Sequence, residues 1–289
     1  MGLLLSVLLP LLFFQDPSQV QVYQAEKVTG DLVMDGTLSE EVWSGAPWSQ
    51  DFFDIRGPEW PTPKHRTRVK LLWDDQFLYV AAELSEPHLW ATLTERDAII
   101  YRDDDFEVFL DPDGDGKNYF EVEINPHGTV LDLFLDQPYR EGGRATIPWD
   151  LPGLKSGVTL QGTLNDPSDE DQGWTVELAI PWNELVPPEG DGSSGAHGLL
   201  PGATGQPPGP PSPGDEWRVN FSRVDWPLEV VPEKSSGRLT YERIEGPTPR
   251  NRHPEQNWVW SPQGEINMHI PSRWGVVRFI ETRDQEARR

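Results

Sequence analysis

The sequence predicts an all-β protein: an antiparallel β-sandwich with a jelly-roll-like or immunoglobulin-like two-sheet architecture and one or two short helices. Two observations support this fold class. Short segments along the chain alternate between apolar and polar residues, which is the pattern of strands with one buried face. Clusters of Gly, Pro, Asp and Asn separate these segments, without a regular succession of strands and helices. Packed sheets are therefore favoured over an α/β fold.

The clearest strand pattern occupies residues 103–132, DDDFEVFLDPDGDGKNYFEVEINPHGTVLD. We expect three strands here, at Asp105–Leu110, Tyr119–Ile124 and Thr129–Leu135. The residues between them favour tight turns, so the three strands should form an antiparallel meander.

The elements before and after the meander are also predicted from local sequence patterns. Met34–Trp48 predicts a short helix that Asp35 or Thr37 could cap. Arg66–Leu84 predicts a hairpin that turns at residues 74–76. Further strands are expected at Gly157–Leu164, Gly173–Trp182, Trp217–Val224, Trp258–Trp260 and Val276–Ile280.

We interpret residues 20–280 as a single domain. Residues 186–214 are rich in Pro and Gly and lack any periodicity, which predicts an insertion loop without fixed structure. Residues 281–289 form a polar tail, which we expect to be disordered.

Residues 1–19 are expected to be a signal peptide, because Gly2–Phe14 is apolar but too short to span a membrane. Cleavage is then predicted between Gln15 and Gln24, and the protein should be secreted or extracytoplasmic. The alternative is an apolar tail on a cytosolic protein.

The composition narrows the possible partners. The 289 residues include 48 Asp and Glu against 24 Lys and Arg, a formal net charge of -24. Such a chain is unsuited to nucleic acid or to anionic membranes, both of which need basic residues. It suits neutral ligands and divalent cations. Cysteine is absent, which excludes disulfides and thiolate metal sites.

The turn after the first meander strand carries Asp111, Asp113 and Asp115. Calcium binds through several oxygen ligands, so the turn is a candidate calcium site, with Asp103 and Asp104 as further ligands across the sheet. It is not an EF-hand, because Val122 stands where that motif needs Glu. A solvated turn is the alternative.

A second candidate site rests on aromatic residues. Trp258 and Trp260 alternate on one predicted strand, so both should face the same side, and Asn267, Met268 and His269 follow closely. Sugar rings stack their apolar faces on aromatic rings, while polar groups bond their hydroxyls. These five residues are candidate saccharide contacts. Core packing is the alternative for each Trp.

Five runs occur in order between about Val33 and Phe279: MDGTLSEEVWSGAPW, VKLLWDDQFLYVAAEL, DDFEVFLDPDGDGKNYFEVEIN, GWTVELAIPW and WGVVRF. Together they closely resemble the carbohydrate-binding module family 9-like domains. The resemblance implies a β-sandwich that binds a mono-, oligo- or polysaccharide, with bound calcium. It also implies a non-catalytic accessory role in glycoside hydrolysis and carbohydrate catabolism.

The resemblance further implies individual site residues. In the sugar-binding modules of this family, two aromatic rings clamp a terminal sugar. Tyr101 stands at the first of these positions and Met268 at the second. Glu107 corresponds to a glutamate that hydrogen-bonds sugar hydroxyls, and Glu121 aligns with an arginine of the hydrogen-bonding set.

Other functions are less favoured. The sequence has no GxSxG or HExxH motif, and carboxylate pairs arise by chance in an acidic chain, so we expect no enzyme activity. Relatives of this sandwich bind haem through Met and His or Lys. Met268 and His269 invite that alternative, but neighbouring residues on a strand point oppositely, which disfavours haem. A protein-interaction module that has lost sugar binding is a further alternative.

Overall fold

The structure is a computed structural model that describes residues 20–30, 32–188, 209–234, 236–244 and 254–282. Within these residues it is almost entirely β-structure. The strands of the first half are β1 (Val22–Lys27), β2 (Phe53–Asp54), β3 (Thr67–Trp73), β4 (Phe77–Ser85), β5 (Asp105–Asp111), β6 (Tyr119–Ile124), β7 (Val130–Leu135) and β8 (Ala145–Thr146). Those of the second half are β9 (Lys155–Gln161), β10 (Gly173–Pro181), β11 (Glu216–Asp225), β12 (Leu228–Pro232), β13 (Leu239–Arg243), β14 (Gln256–Val259) and β15 (Gly275–Ile280).

The helical elements are short. One α-helix, α1 (Glu41–Gly45), precedes β2. Four 3₁₀ turns occur at Ile100–Arg102, Tyr139–Glu141, Trp182–Glu184 and Pro271–Arg273. In the described part of the chain, no helix has the length and apolar character needed to cross a membrane.

Among the described residues, thirteen strands form one sheet. Eleven of them follow the hydrogen-bonded order β8-β7-β6-β5-β11-β15-β1-β3-β4-β10-β9, and β14 pairs with β11 and with β2 beside this path. The two ends of this path fold onto each other. Leu71 of β3 and Leu178 of β10 share one hydrophobic core with Val108 of β5, Val122 of β6 and Phe221 of β11. The predicted sandwich is confirmed in its all-β content and its two packed layers.

The alternation along β5 decides which residues face the core. Phe106, Val108 and Leu110 lie in the hydrophobic core, so Glu107 and Phe109 lie on the opposite face of the sheet. Each fully buried Phe or Leu side chain stabilises the fold by roughly 1.5–3 kcal/mol. A register slip of one residue would exchange the two faces, so this burial also fixes where the carboxylates point.

The predicted hairpin and meander are confirmed. β3 and β4 pair antiparallel through residues 67–73 and 78–84. Their turn is held by Asp74, whose Oδ1 accepts hydrogen bonds from the backbone N–H groups of Gln76 and Phe77, each at 2.7 Å. β5, β6 and β7 also pair in sequence as antiparallel neighbours.

The helix predicted at Met34–Trp48 is wrong in length and in its cap. Only Glu41–Gly45 is helical, and no side chain caps it. Asp35 instead closes a local turn, because its Oδ1 accepts from the backbone N–H (2.8 Å) and hydroxyl (2.6 Å) of Thr37. The helix is positioned by Trp43, whose buried indole donates to Oε1 of Glu177 at 2.7 Å.

Strand β1 was not expected from the sequence, and it begins within the range expected for signal cleavage. Val22–Lys27 pairs in parallel with both β15 and β3 and so joins the two halves of the sheet. The predicted signal peptide at 1–19 lies outside the described residues. So do residues 189–208 of the predicted loop and residues 283–289 of the predicted tail.

A buried ion-pair cluster also joins the two halves. The Arg223 guanidinium on β11 donates to Glu86 just after β4, to Asp225 at 3.0 Å and to the carbonyl of Ser85 at 2.7 Å. Its Cζ lies 5.1 Å from the centre of a Trp258 ring. Burial raises the pKa of Glu86 to about 7, although the charge of Arg223 opposes the change.

We predict that Arg223→Met lowers the free energy of unfolding by about 3–5 kcal/mol, because it leaves Glu86 and Asp225 buried without a counter-ion. Arg278→Met is the matched control: its ion pair with Glu216 is exposed, so the loss should stay below about 1 kcal/mol. Urea unfolding of both variants measures the difference. Equal losses would show that the buried cluster has no special role.

Candidate functional site

A cavity of about 520 Å³ lies on the face of the β5–β6–β7 meander that points away from the main core. Residues after β8, before β5 and around 255–269 complete its walls. Its polar and aromatic lining consists of Tyr101, Glu107, Glu121, Glu123, Tyr139, Glu255, Asn257, Asn267 and His269. Its apolar lining includes Ile55, Ile99, Phe109, Leu131, Leu133, Ile147, Val224, Ile266 and Met268.

The floor of the cavity is formed by carboxylates that alternate with core residues. Glu107 of β5 and Glu121 and Glu123 of β6 line it, and Asp105 lies deeper beside them. Their exposed fractions are 6%, 5%, 3% and 0% respectively. Because Glu107 and Glu123 are also register partners across the strands, their side chains are close neighbours.

These groups are electrostatically costly. Burial raises the pKa of Glu107 to about 7. Burial, and then the neighbouring carboxylates, raise the pKa values of Asp105, Glu121 and Glu123 well above their ordinary range. Among the described residues that line the cavity there is no Lys or Arg to compensate them. Without a cation, the floor therefore favours protonated carboxyl groups over a full set of negative charges.

Two exposed aromatic rings border the cavity. Tyr101 and Tyr139 are each 47% exposed. The backbone N–H of Tyr101 donates to Oε2 of Glu123 at 3.0 Å, and its carbonyl accepts from the Trp226 indole at 2.9 Å. The Arg243 guanidinium packs over the Trp226 ring, with its Cζ 4.7 Å from the ring centre. The rings can stack on a flat apolar face, and the floor can accept hydrogen bonds.

His269 supports one wall. Its Nδ1 lies 3.0 Å from the Tyr119 hydroxyl, and the Tyr139 ring meets it edge-on at 4.5 Å. Burial lowers the pKa of His269 to about 4, so the ring is neutral at pH 7. The backbone N–H of His269 also donates to Oδ1 of Asn267 at 3.2 Å. Nδ2 of Asn267 is buried and has no partner in the described part of the chain.

The structure brings six of the eight expected saccharide contacts to this cavity: Tyr101, Glu107, Glu121, Asn267, Met268 and His269. Met268 and His269 both line it, since residues 260–270 form no strand and the expected opposite orientation does not apply. Met268 packs with Phe109 and Trp274 in a second apolar cluster.

The expectation for Trp258 and Trp260 is wrong. They do share one face of the chain, but that face is the main core, and each indole is 2% exposed. Trp260 packs on Phe221 and so closely on Gly275 that a Cβ there would come within 2.3 Å of the ring. Burial of their large apolar area places both rings in the core instead of the cavity.

The expectation that Asp103 and Asp104 join the aspartate turn is also wrong. They precede β5, whereas the turn follows it, and a seven-residue strand separates its ends by roughly 20 Å. Asp103 accepts from the backbone N–H groups of Thr92 and Leu93, at 2.7 and 2.8 Å. Asp104 accepts from that of Trp226 at 2.7 Å. Both carboxylates therefore organise local backbone.

The turn itself does bring its three aspartates together. Carboxylate oxygens of Asp111, Asp113 and Asp115 lie within 4.8 Å of one another. Asp111 is buried and accepts from the backbone N–H groups of Gly114 (3.0 Å) and Gly116 (2.9 Å). The donor type suits a hard cation, but the carboxylate of Asp111 is already bonded within the turn.

Three site residues escaped the sequence analysis. Glu123 and Asp105 each stand two positions from an expected contact on the same strand, so the period-two pattern could have revealed them. Tyr139 lies in the 3₁₀ turn after β7 and reaches the cavity only because the chain turns back there. Nothing in its local sequence signals that position.

The chain is similar to several known proteins. A model of the family described as carbohydrate family 9 binding domain-like matches residues 34–198. Endo-1,4-beta-xylanase A of Thermoanaerobacterium saccharolyticum is 28% identical over 167 residues, 57% of this chain and 12% of that protein. Exoglucanase XynX of Acetivibrio thermocellus is 26% identical over 170 residues, 59% of this chain and 13% of that protein. The match thus spans only a small part of these relatives.

Two solved structures share the fold. A family 9 carbohydrate-binding module from Caldicellulosiruptor kristjanssonii in complex with cellotriose has a TM-score of 0.52 at 17% identity, covering 92% of this chain and 96% of that one. A protein of Bacteroides uniformis has a TM-score of 0.58 at 16% identity, covering 90% of this chain and 100% of that one.

We predict that stability rises as the pH falls from 8 to 6. The folded pKa of Glu107, about 7, exceeds its ordinary value of 4.5, so its contribution is fully present below pH 4.5 and is lost as pH rises through 7. One pKa unit corresponds to about 1.4 kcal/mol. Urea unfolding in the presence of a chelator measures the change.

Glu107→Gln should remove part of this pH dependence, because its amide does not titrate. Glu216→Gln is the control, since Glu216 is exposed in its pair with Arg278. An unchanged pH profile in Glu107→Gln would contradict the assignment.

Proposed function

The chain belongs to the carbohydrate family 9 binding domain-like family, and we propose that it binds a saccharide, without reacting with it, in the cavity bordered by Tyr101 and Tyr139. The observation that carries this proposal is the juxtaposition of two exposed tyrosine rings with a floor of hydrogen-bonding carboxylates. The family is one of binding domains, which supports a role of the cavity in recognition without catalysis.

The lining supplies the two kinds of contact that sugar recognition needs. Pyranose rings have apolar C–H faces, which stack on the rings of Tyr101 and Tyr139. Their hydroxyl groups are donors and acceptors at once, so they match Glu107 and Glu121 on the floor and the unpartnered amide of Asn267 on the wall. A volume of about 520 Å³ is in the usual range for small-ligand sites.

The relatives suggest the ligand class. The Caldicellulosiruptor kristjanssonii module was solved with cellotriose and with glucose, and the two curated relatives are a xylanase and an exoglucanase. We therefore propose β-linked glucose or xylose oligosaccharides as ligands. The role would be accessory to polysaccharide hydrolysis outside the cytoplasm.

Haem remains the alternative for this cavity. Met268 and His269 both line it, and the segment that carries them is not a strand. The carboxylate floor opposes it, because the propionate groups of haem would add negative charge to an already acidic site. An absorption spectrum of the purified protein should show no Soret band.

We also propose a structural calcium ion at the turn of Asp111, Asp113 and Asp115, whose oxygens lie within 4.8 Å of one another. Calcium should raise the melting temperature of the chelator-treated protein, because ligand binding stabilises the folded state. Asp113→Asn/Asp115→Asn should remove one calcium equivalent. An unchanged number of bound ions in this variant would refute the turn site.

For saccharide binding, we predict that Tyr139→Ala and Tyr101→Ala each weaken affinity by about 1–3 kcal/mol, or roughly 5- to 150-fold, through loss of a stacking ring. Calorimetry with cello- and xylo-oligosaccharides measures the effect.

Trp48→Ala is the control, because that ring lies on Arg68 of β3, away from the cavity. Binding that responds equally to all three variants, or a folded protein that binds no glycan, would overturn the proposal. The surviving function would then be a protein-interaction module.

A further inference from the structure

We propose that a divalent cation of the calcium type binds at the floor of the cavity, between Asp105, Glu107 and Glu123. This site is distinct from the aspartate turn, which lies at the opposite end of β5. Three observations carry the inference: the spacing of the oxygens, buried polar atoms without partners, and the absence of any protein cation among the described lining residues.

The spacing fits a single ion. One carboxylate oxygen from each of Asp105, Glu107 and Glu123 lies within 4.8 Å of the other two. Calcium binds oxygen at about 2.3–2.6 Å, so two ligands of one ion are separated by at most about 5.2 Å. The three carboxylates therefore need little movement to share a cation.

Buried polar atoms next to the trio have no partner. Oδ2 of Asp105 and Oε2 of Glu121 are buried and lack a hydrogen bond within the described residues. Ser222 is the register partner of Glu107 on the neighbouring strand, so its hydroxyl lies beside the trio. Each such group is destabilising unless something binds it. A cation would satisfy several oxygens at once.

The aspartate turn provides an internal contrast. There, both oxygens of Asp111 accept backbone N–H groups and two of the three residues are exposed. In the cavity, all three carboxylates are at least nine-tenths buried, and Oδ2 of Asp105 accepts nothing. By this comparison the floor has the greater need of a counter-ion.

The depth of the site favours a metal ion over an organic cation. Asp105 is 0% exposed and lies behind the residues that line the cavity. A dehydrated ion of about 1 Å radius reaches its oxygen more easily than the ammonium group of an amino sugar, whose ring stays in the cavity.

The cation would also take part in saccharide binding, a consequence that rests on the proposed function. Calcium takes six to eight oxygen ligands, more than this trio and Ser222 supply. The open positions would face the cavity, where neighbouring sugar hydroxyls could fill them. Saccharide affinity should then depend on calcium.

The test uses the full chain after chelator treatment, at pH 8, titrated with calcium chloride alone. Four proteins are compared by calorimetry: unmodified, the cavity variant Glu107→Gln/Glu123→Gln, the turn variant Asp113→Asn/Asp115→Asn, and their combination. We expect the cavity variant to bind one equivalent fewer than the unmodified protein. The combined variant should likewise bind one fewer than the turn variant.

Thermal unfolding separates a ligand role from a structural one. In chelator, the cavity variant should be at least as stable as the unmodified protein, since it lacks two uncompensated buried charges. Its calcium-dependent gain in melting temperature should be smaller. If it does not fold, Asp105→Asn takes its place in both experiments.

Other results would overturn the inference. One is equal calcium binding in the cavity variant and the unmodified protein. Another is loss of binding only in the turn variant. A third is glucosamine binding in chelator without any calcium binding, which would make the occupant an ammonium group.

The dependence of oligosaccharide binding on calcium is measured in a separate experiment. Under the proposal, chelator should weaken oligosaccharide binding at least tenfold, and calcium should restore it. Sugar binding that is indifferent to calcium contradicts the open coordination positions. Complete failure of sugar binding overturns the proposed function but leaves the calcium titration as an independent result.

Discussion

The packing of one face of β5 and β6 against the main core is the constraint on which the site depends. Phe106, Val108 and Val122 are buried between the two layers, and their burial sets the register of both strands. Since side chains alternate along a strand, Glu107 and Glu123 are then forced onto the cavity floor. Apolar contacts on one face thus hold several buried acids on the other.

Two clusters of buried acidic residues differ in whether the protein supplies a cation to offset the burial of their carboxylates. In the first cluster, Arg223 packs on the Trp258 ring and supplies the cation that Glu86 and Asp225 require. This cluster joins the two halves of the sheet. On the cavity floor the described lining contributes no such cation. A cluster that contains its own cation is suited to stability, whereas one without a cation is suited to binding. The contrast supports the proposal that recognition takes place at the floor, whereas the Arg223 cluster has a structural role.

Part of the site was predictable from the family resemblance. That resemblance implied Tyr101, Glu107 and Glu121 as contacts, and the structure places all three at the cavity. The tryptophan pair was not: period two showed that Trp258 and Trp260 share a face, but could not show which face is covered. An indole suits a core and a sugar site equally well by composition.

From the sequence alone, the all-β class, the hairpins, the meander and the alternation of its carboxylates with apolar residues could be derived, because each depends on neighbours a few positions apart. The tertiary structure alone decided that Tyr139 borders the cavity, that β1 joins both halves, and that Asp103 and Asp104 lie far from the aspartate turn. Those facts depend on contacts between residues distant in the chain. Such contacts form only when the layers pack, so local periodicity in the sequence does not reveal them.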